Sequence, residues 1–247
     1  MYGPGIFSLP KVNNQVDAII ETWLPGPKGN ESIAKIIAGK LNPSGKLPVT
    51  IPRSVGQVPC YYNHKVGSGY SSFKKSNNEE GMAKVIFTGG YVDDNIQPLY
   101  EFGYGQSFTT FKISNLKIIN NPIKLGDEIK FSIDIENIGN FPGSDVVQVY
   151  YHFDNAHVIL PNKQLIAYKK VYLEQKAKKR IKFAISTCQL GYLNEKMDFV
   201  IESGQGTLYI GDSSENIFAK TVLLLEGNTI YLKGKRKYFN TPIIKEV

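Results

Sequence analysis

The chain has 247 residues, 42% of them hydrophobic and 12% aromatic, a composition that excludes wholesale disorder and a length that suggests two domains of ordinary size. Its formal charge of +7 comes from Lys and Arg spread along the chain, with clusters at 176–180 (KAKKR) and 233–237 (KGKRK); no recognised nucleic-acid motif accompanies them, so they read as solvated charge. Cys60 and Cys188 stand far apart and outside any CxxC spacing, which argues against a disulfide framework or a zinc site and leaves the compartment open.

From the N-terminus, MYGPGIFSLPKVNN lacks the basic start and apolar run of a secretory leader, and no later apolar run approaches the roughly 18 residues of a membrane span. Residues 16–24 (VDAIIETWL), closed by Pro25-Gly26, read as a buried strand. Residues 30–40 (NESIAKIIAGK) place Ile33, Ile36 and Ile37 at helical spacing, with Asn30 as the expected cap and Gly39 as the stop. Asn30 also begins the sequon Asn30-Glu31-Ser32, which matters only in a secreted chain. Strand, glycine-containing loop and helix are one half-unit of a parallel α/β sheet, and one such unit cannot cover both faces of a sheet.

From Asn42 to Ser107 periodicity disappears. Prolines at 43, 48, 52, 59 and 98 predict a long wrapping segment, and its polar insert KKSNNEEGMAK (74–84) is expected to be a mobile loop.

The second half changes character. EIKFSIDIE (128–136) alternates strictly, as a half-buried strand does, and similar runs occupy 111–118, 145–153, 165–173, 180–185, 197–202 and 206–212. Turn signals such as Asn137-Ile138-Gly139-Asn140 and Pro142-Gly143 separate them. Seven strands in about 100 residues predict an antiparallel sandwich of the immunoglobulin or fibronectin type III kind. The expected organisation is an α/β remnant with its wrapping linker over 1–107, an all-β sandwich over 108–227, and a basic tail over 228–247 without an assigned role.

Several stretches together carry a family resemblance: VDAIIETWLPG, NPSGKLPVTIPRSVGQVPCYYNHK, YVDDNIQPLYEFGYGQSFTTF, IENIGNFPGSDVVQVYY and GTLYIGDSS, spanning roughly residues 8 to 226. The chain resembles the C-terminal part of glycoside hydrolase family 3, which holds many β-glucosidases and β-xylosidases. The resemblance implies a (β/α) barrel first, an α/β sandwich domain second and a fibronectin type III-like domain last, with this chain matching the end of the second and all of the third. It departs from the family where PGPKGNES replaces a more glycine-rich turn, and where Glu101 and Gln106 stand in place of the usual Pro and Leu.

Retaining glycosidases need two carboxyl groups roughly 5 Å apart across the sugar. The resemblance implies an Asp nucleophile in the barrel and a Glu acid/base upstream of this sequence, so no residue here is assigned a catalytic role and these residues alone are expected to be inactive. Glu79-Glu80 and Asp93-Asp94 are sequence neighbours whose side chains diverge on an extended chain, and Ser44 lacks a nucleophile elbow. His152 and His157 lack a third metal ligand, and FGYG (102–105) has no continuation into a phosphate-binding helix, so neither a metal nor a cofactor is expected. Its aromatic residues are expected to dock the linker between domains.

Candidates for a sugar edge are Trp23, at the expected end of a parallel strand, and the run Tyr61, Tyr62, Asn63, His64 and Lys65, which combines aromatic faces with hydroxyl-seeking polar groups. Expected partners are a separately encoded barrel half and, once complemented, a β-glycoside or polysaccharide; no nucleic acid or membrane is expected. The alternative reading is a non-catalytic module whose fibronectin-like sandwich binds carbohydrate or protein.

Overall fold

A computed structural model describes residues 3–65, 95–234, 237–238 and 242–246. The insert at 74–84 and the pairs Glu79-Glu80 and Asp93-Asp94 lie outside the described residues.

The sandwich is built as the alternation demands. Strands β1 (Phe111–Ile118), β3 (Glu128–Asn137), β6 (Lys178–Ser186) and β12 (Ile243–Glu246) form one sheet in the order β1-β3-β6-β12. The facing sheet runs β2 (Ile123–Lys124), β10 (Ile217–Glu226), β9 (Gly204–Gly211), β4 (Gly143–Phe153) and β5 (Gln164–Leu173). A small third sheet joins β11 (Ile230–Tyr231), β8 (Phe199–Ile201) and β7 (Tyr192–Leu193). On β3 the inward residues Ile129, Phe131, Ile133 and Ile135 are fully buried, and Phe131 stacks on its cross-strand partner Phe183 at 4.9 Å between ring centroids. The β3–β4 connection is held by Asn137, whose Oδ1 accepts from Thr109 Oγ1 (2.7 Å) and Gly139 N (3.1 Å) while its Nδ2 donates to Phe141 O (2.8 Å).

All seven expected strands form, and five more accompany them among the described residues. β10 has apolar residues on both faces, so it shows no clean alternation, yet it is the full-length partner of β9. The stretch expected to be a tail supplies β11 and β12: Leu232 is buried, and residues 243–246 pair with 179–182 at the edge of β6. An unpaired edge is satisfied by any compatible strand.

The N-terminal part differs in two elements. Residues 16–24 are irregular backbone rather than the expected strand. The helix forms as α2 (Gly29–Ile37), preceded by the short α1 (Pro10–Asn13), but Lys28 occupies the cap position and Asn30 lies inside the first turn. The start shifts because Gly29 N donates to Gly26 O and a Cβ on Gly29 would lie 2.2 Å from the Pro25 side chain. Gly39 ends the helix as expected, at φ +67° with its amide on Ile36 O.

Candidate functional site

The wrapping segment and the sandwich meet in a seam built from two of the resemblance-bearing stretches. Residues 47–51 run against 99–104: Leu47 N donates to Tyr104 O and Gly103 N to Leu47 O (both 2.8 Å), and Leu99 N donates to Ile51 O (2.9 Å). Gly105 permits this approach, since a Cβ there would sit 2.3 Å from Gly45 O. The fully buried Gln57 joins the two stretches further along, its Nε2 facing the carbonyls of Asn95, Ile96 and Gln97 at 3.0, 3.2 and 3.1 Å while its Oε1 accepts from Arg53 N (2.7 Å).

Tyr150 and Gln148 project from the outer face of β4, away from the core residues Val149 and Tyr151, and are nonetheless buried. Tyr62 and Phe102 cover them. Tyr62 stacks on Phe102 (4.2 Å) and meets Tyr150 edge-on (5.8 Å), and its hydroxyl accepts from Leu165 N (3.1 Å). Gln148 Nε2 donates to the carbonyls of Gly103 (3.2 Å) and Asp212, and its Oε1 accepts from the Tyr150 hydroxyl. Burial pushes the Tyr62 and Tyr150 hydroxyls up from the usual phenol value, so both stay neutral.

The charged part of the seam is Lys46. Its Nζ lies 3.0 Å from Asp145 Oδ1, 3.8 Å from Asp212 Oδ2 and 3.2 Å from Gly105 O. Burial raises the Asp212 carboxyl and the Lys46 charge draws it back down. Further fastening comes from Ser213 Oγ, which donates to Glu101 Oε1 (2.9 Å), and from Ser214 N, which donates to Phe102 O (2.9 Å). Glu101, at the position where the resemblance leads one to expect Pro, thus gains a partner on the sandwich.

The sequence-derived candidates divide. Tyr62, His64 and Lys65 come together against the loop before β5: His64 O accepts from Asn162 N (2.9 Å), His64 Nε2 accepts from Asn162 Nδ2 (3.2 Å), and Lys65 bridges Pro161. His64 Nδ1 faces Lys65 O at 3.3 Å. Tyr61 is 60% exposed and Asn63 half-buried. Trp23 stands apart, half-buried at φ +50° on irregular backbone, with its amide donating to Glu21 Oε1 (2.9 Å). Lys46, Gln57, Gln148, Asp145 and Asp212 were missed. The only signal for them is polar residues interrupting the apolar run of β4, where Asp145 shares the core-facing side with Val147 and therefore needs a buried cation.

What this arrangement does chemically is fasten one domain's end onto another. A β-sandwich clasped by the irregular end of an α/β segment defines a two-part architecture whose parts are fastened together. The glycosyl hydrolase family 3 C-terminal domain model matches residues 1–108 and a fibronectin type III-like domain model matches residues 145–214. The chain belongs to glycoside hydrolase family 3 and corresponds to a C-terminal portion of its enzymes.

It is 35% identical over 211 residues to a periplasmic β-glucosidase of Salmonella typhimurium, covering 85% of this chain and 26% of that protein. It is 32% identical over 220 residues to a β-xylosidase of Formosa agariphila, covering 88% and 28%. Among solved structures, the β-glucosidase of Listeria innocua in complex with isofagomine superposes with a TM-score of 0.83 at 27% identity, covering 92% of this chain and 30% of that one. The chain thus spans roughly a quarter of the length of the curated relatives it matches.

Proposed function

We propose that these 247 residues serve as the C-terminal part of an enzyme that hydrolyses β-O-glycosides of the glucoside or xyloside type, and that they position rather than perform the chemistry. The observation that carries this reading is the seam: polar, aromatic and ionic contacts from one segment are all spent on holding the α/β end against the sandwich. Of the carboxylates it contains, Asp145 and Asp212 share one buried lysine and Glu101 accepts from Ser213, whereas a retaining pair must face a sugar with one acid protonated. The attacking and proton-donating groups belong to a barrel-bearing portion, in the same polypeptide or a separate one.

The exposure of Ile6, Phe7, Val16, Leu24, Ile37 and Leu41 along the N-terminal stretch supports a contact with that portion. The experiment is hydrolysis of an aryl β-glucoside and an aryl β-xyloside by the purified 247 residues, alone and joined to a family 3 barrel portion. Turnover only in the joined state is expected; turnover by the 247 residues alone overturns the reading.

A second reading, a non-catalytic glycan-binding module, draws on Tyr168 and Tyr172, which stand on one side of the edge strand β5 at 63% and 51% exposure. Aromatic rings presented this way suit the apolar faces of pyranose rings. Retention on neutral glucan, abolished by Tyr168→Ala, with no turnover in either state, would select it.

A further inference from the structure

The outer face of the β1-β3-β6-β12 sheet carries a charge pattern that neither the fold nor the proposed catalysis requires. Cross-strand register arranges it in rows. Lys112, Glu136 and Lys178 form one; Ser114, Asp134, Arg180 and Lys245 the next; Lys117, Ser132, Lys182 and Ile243 a third; Lys130 pairs with Ala184 beyond. With Glu128 at the end of β3, seven cations meet three carboxylates, an excess of four positive charges on one flat surface.

One of those carboxylates is unavailable for a partner. Asp134 is fully buried and engaged by Arg180 Nε (2.6 Å), Arg180 Nη2 (3.0 Å), Lys178 Nζ (3.2 Å) and Asn115 Nδ2 (2.9 Å). It pins the guanidinium against the sheet with Nη1 not engaged by the carboxylate, so the cation is held in place at little further entropic cost. Lys112, Lys117 and Lys182 are exposed on either side. Neighbouring strands lie about 4.8 Å apart, so Lys117 and Lys182, two strands apart in one row, stand about 10 Å from each other, a spacing of a few sugar rings per charge.

We infer that this face binds a uronate-bearing polysaccharide, laid across the strands with its carboxylates on the Lys112–Lys117–Lys182 lattice. Charge complementarity requires a polyanion. Among the described residues, the rows of this face hold no exposed aromatic ring on which an unpaired base could stack, which suits nucleic acid poorly. The choice of a sugar polymer rests on the glycosidase reading above. The described residues of the α/β-derived segment pack on the outer face of the opposite sheet, through Tyr150 and Gln148. The surface would hold the enzyme on acidic glycan while hydrolysis proceeds elsewhere.

The test is affinity electrophoresis of the 247-residue chain in gels containing polygalacturonate, neutral glucan or duplex DNA, which reads binding without any turnover and therefore stands or falls separately from the glycosidase reading. The variant is Lys117→Glu/Lys182→Glu, with Lys117→Gln/Lys182→Gln as a milder companion and Lys11→Glu/Lys196→Glu as a control of equal net charge; thermal melts establish that all are folded. Polygalacturonate should retard the parent chain and neutral glucan should not. The Glu variant should lose about tenfold in affinity, the Gln variant less, and the control little, with all binding weakening as salt rises. Equal loss in the control, comparable retardation by neutral glucan, tighter binding to DNA, or insensitivity to salt each overturns the proposal.

Discussion

Lys46 and Asp145 form an ion pair 3.0 Å long and almost closed to solvent, linking residues 99 positions apart: a lysine of the wrapping segment and a carboxylate on the core-facing side of β4. Asp212 lies on the same ammonium at 3.8 Å. Removing the cation leaves two buried carboxylates facing each other, so Lys46→Met should cost about 3–5 kcal/mol in urea unfolding at neutral pH. The pH dependence has a definite sign. Asp212 already has a raised folded pKa, and losing Lys46 raises it further. A carboxyl raised in the folded state favours folding below its unfolded pKa and loses that contribution as pH rises through the folded value. The variant's deficit should therefore shrink at acid pH; a deficit independent of pH would show that Asp212 is not coupled to Lys46.

Tyr62 is the aromatic anchor of the seam. Tyr62→Ala removes its stacking on Phe102 and its edge contact with Tyr150, and should cost about 3–5 kcal/mol. Tyr62→Phe removes only the acceptor of the Leu165 amide and should cost about 1 kcal/mol. Because the sandwich core contains neither Tyr62 nor Phe102, limited proteolysis of the Ala variant should cleave within residues 42–65 before it degrades the sandwich.

Gly103 holds φ +80° where a Cβ would lie 2.2 Å from Gln148 Oε1. Gln148 is tied to Gly103 O and Asp212 O and has little room to yield. Gly103→Ala should cost about 1–3 kcal/mol from backbone strain alone, with the displaced glutamine adding to it. In the double variant with Gln148→Ala the steric part should vanish and the strain remain, a difference that a double-mutant cycle measures.

Asp134 reports on the opposite sheet. The Arg180 hydrogen bonds hold its carboxyl well below the ordinary aspartate value of 3.8, against the effect of burial. A carboxyl lowered in this way stabilises the fold above its unfolded pKa, and the contribution is lost as pH falls toward the folded value. Asp134→Asn should lower stability by about 1–3 kcal/mol at neutral pH. The gap to the parent should close as the pH drops below 3.8.

The sandwich was legible because its strands obey a two-residue period: Ile129, Phe131, Ile133 and Ile135 announce a buried face before any partner strand is known. β10 was not, since its Leu223 and Leu225 face the core while Val222 and Leu224 face outward, and an apolar run without alternation names no face. At 16–24, where a strand is expected, the backbone is irregular, because a short apolar run without alternation specifies burial and not a strand. His64 and Lys65 were marked by residue type as sugar contacts, and the structure brings both to the loop before β5.

Local pattern thus determined the class of the sandwich, the helix over the Ile33–Ile37 face, and the stretches that carry the family resemblance. Tertiary structure alone decided which polar residues matter. Lys46 meets Asp145 and Asp212, Gln148 meets Gly103, and Tyr62 meets Tyr150 across separations of 45 to 166 residues. No periodicity encodes such pairs, because each exists only to satisfy a charge, a donor or an exposed ring that folding itself has buried.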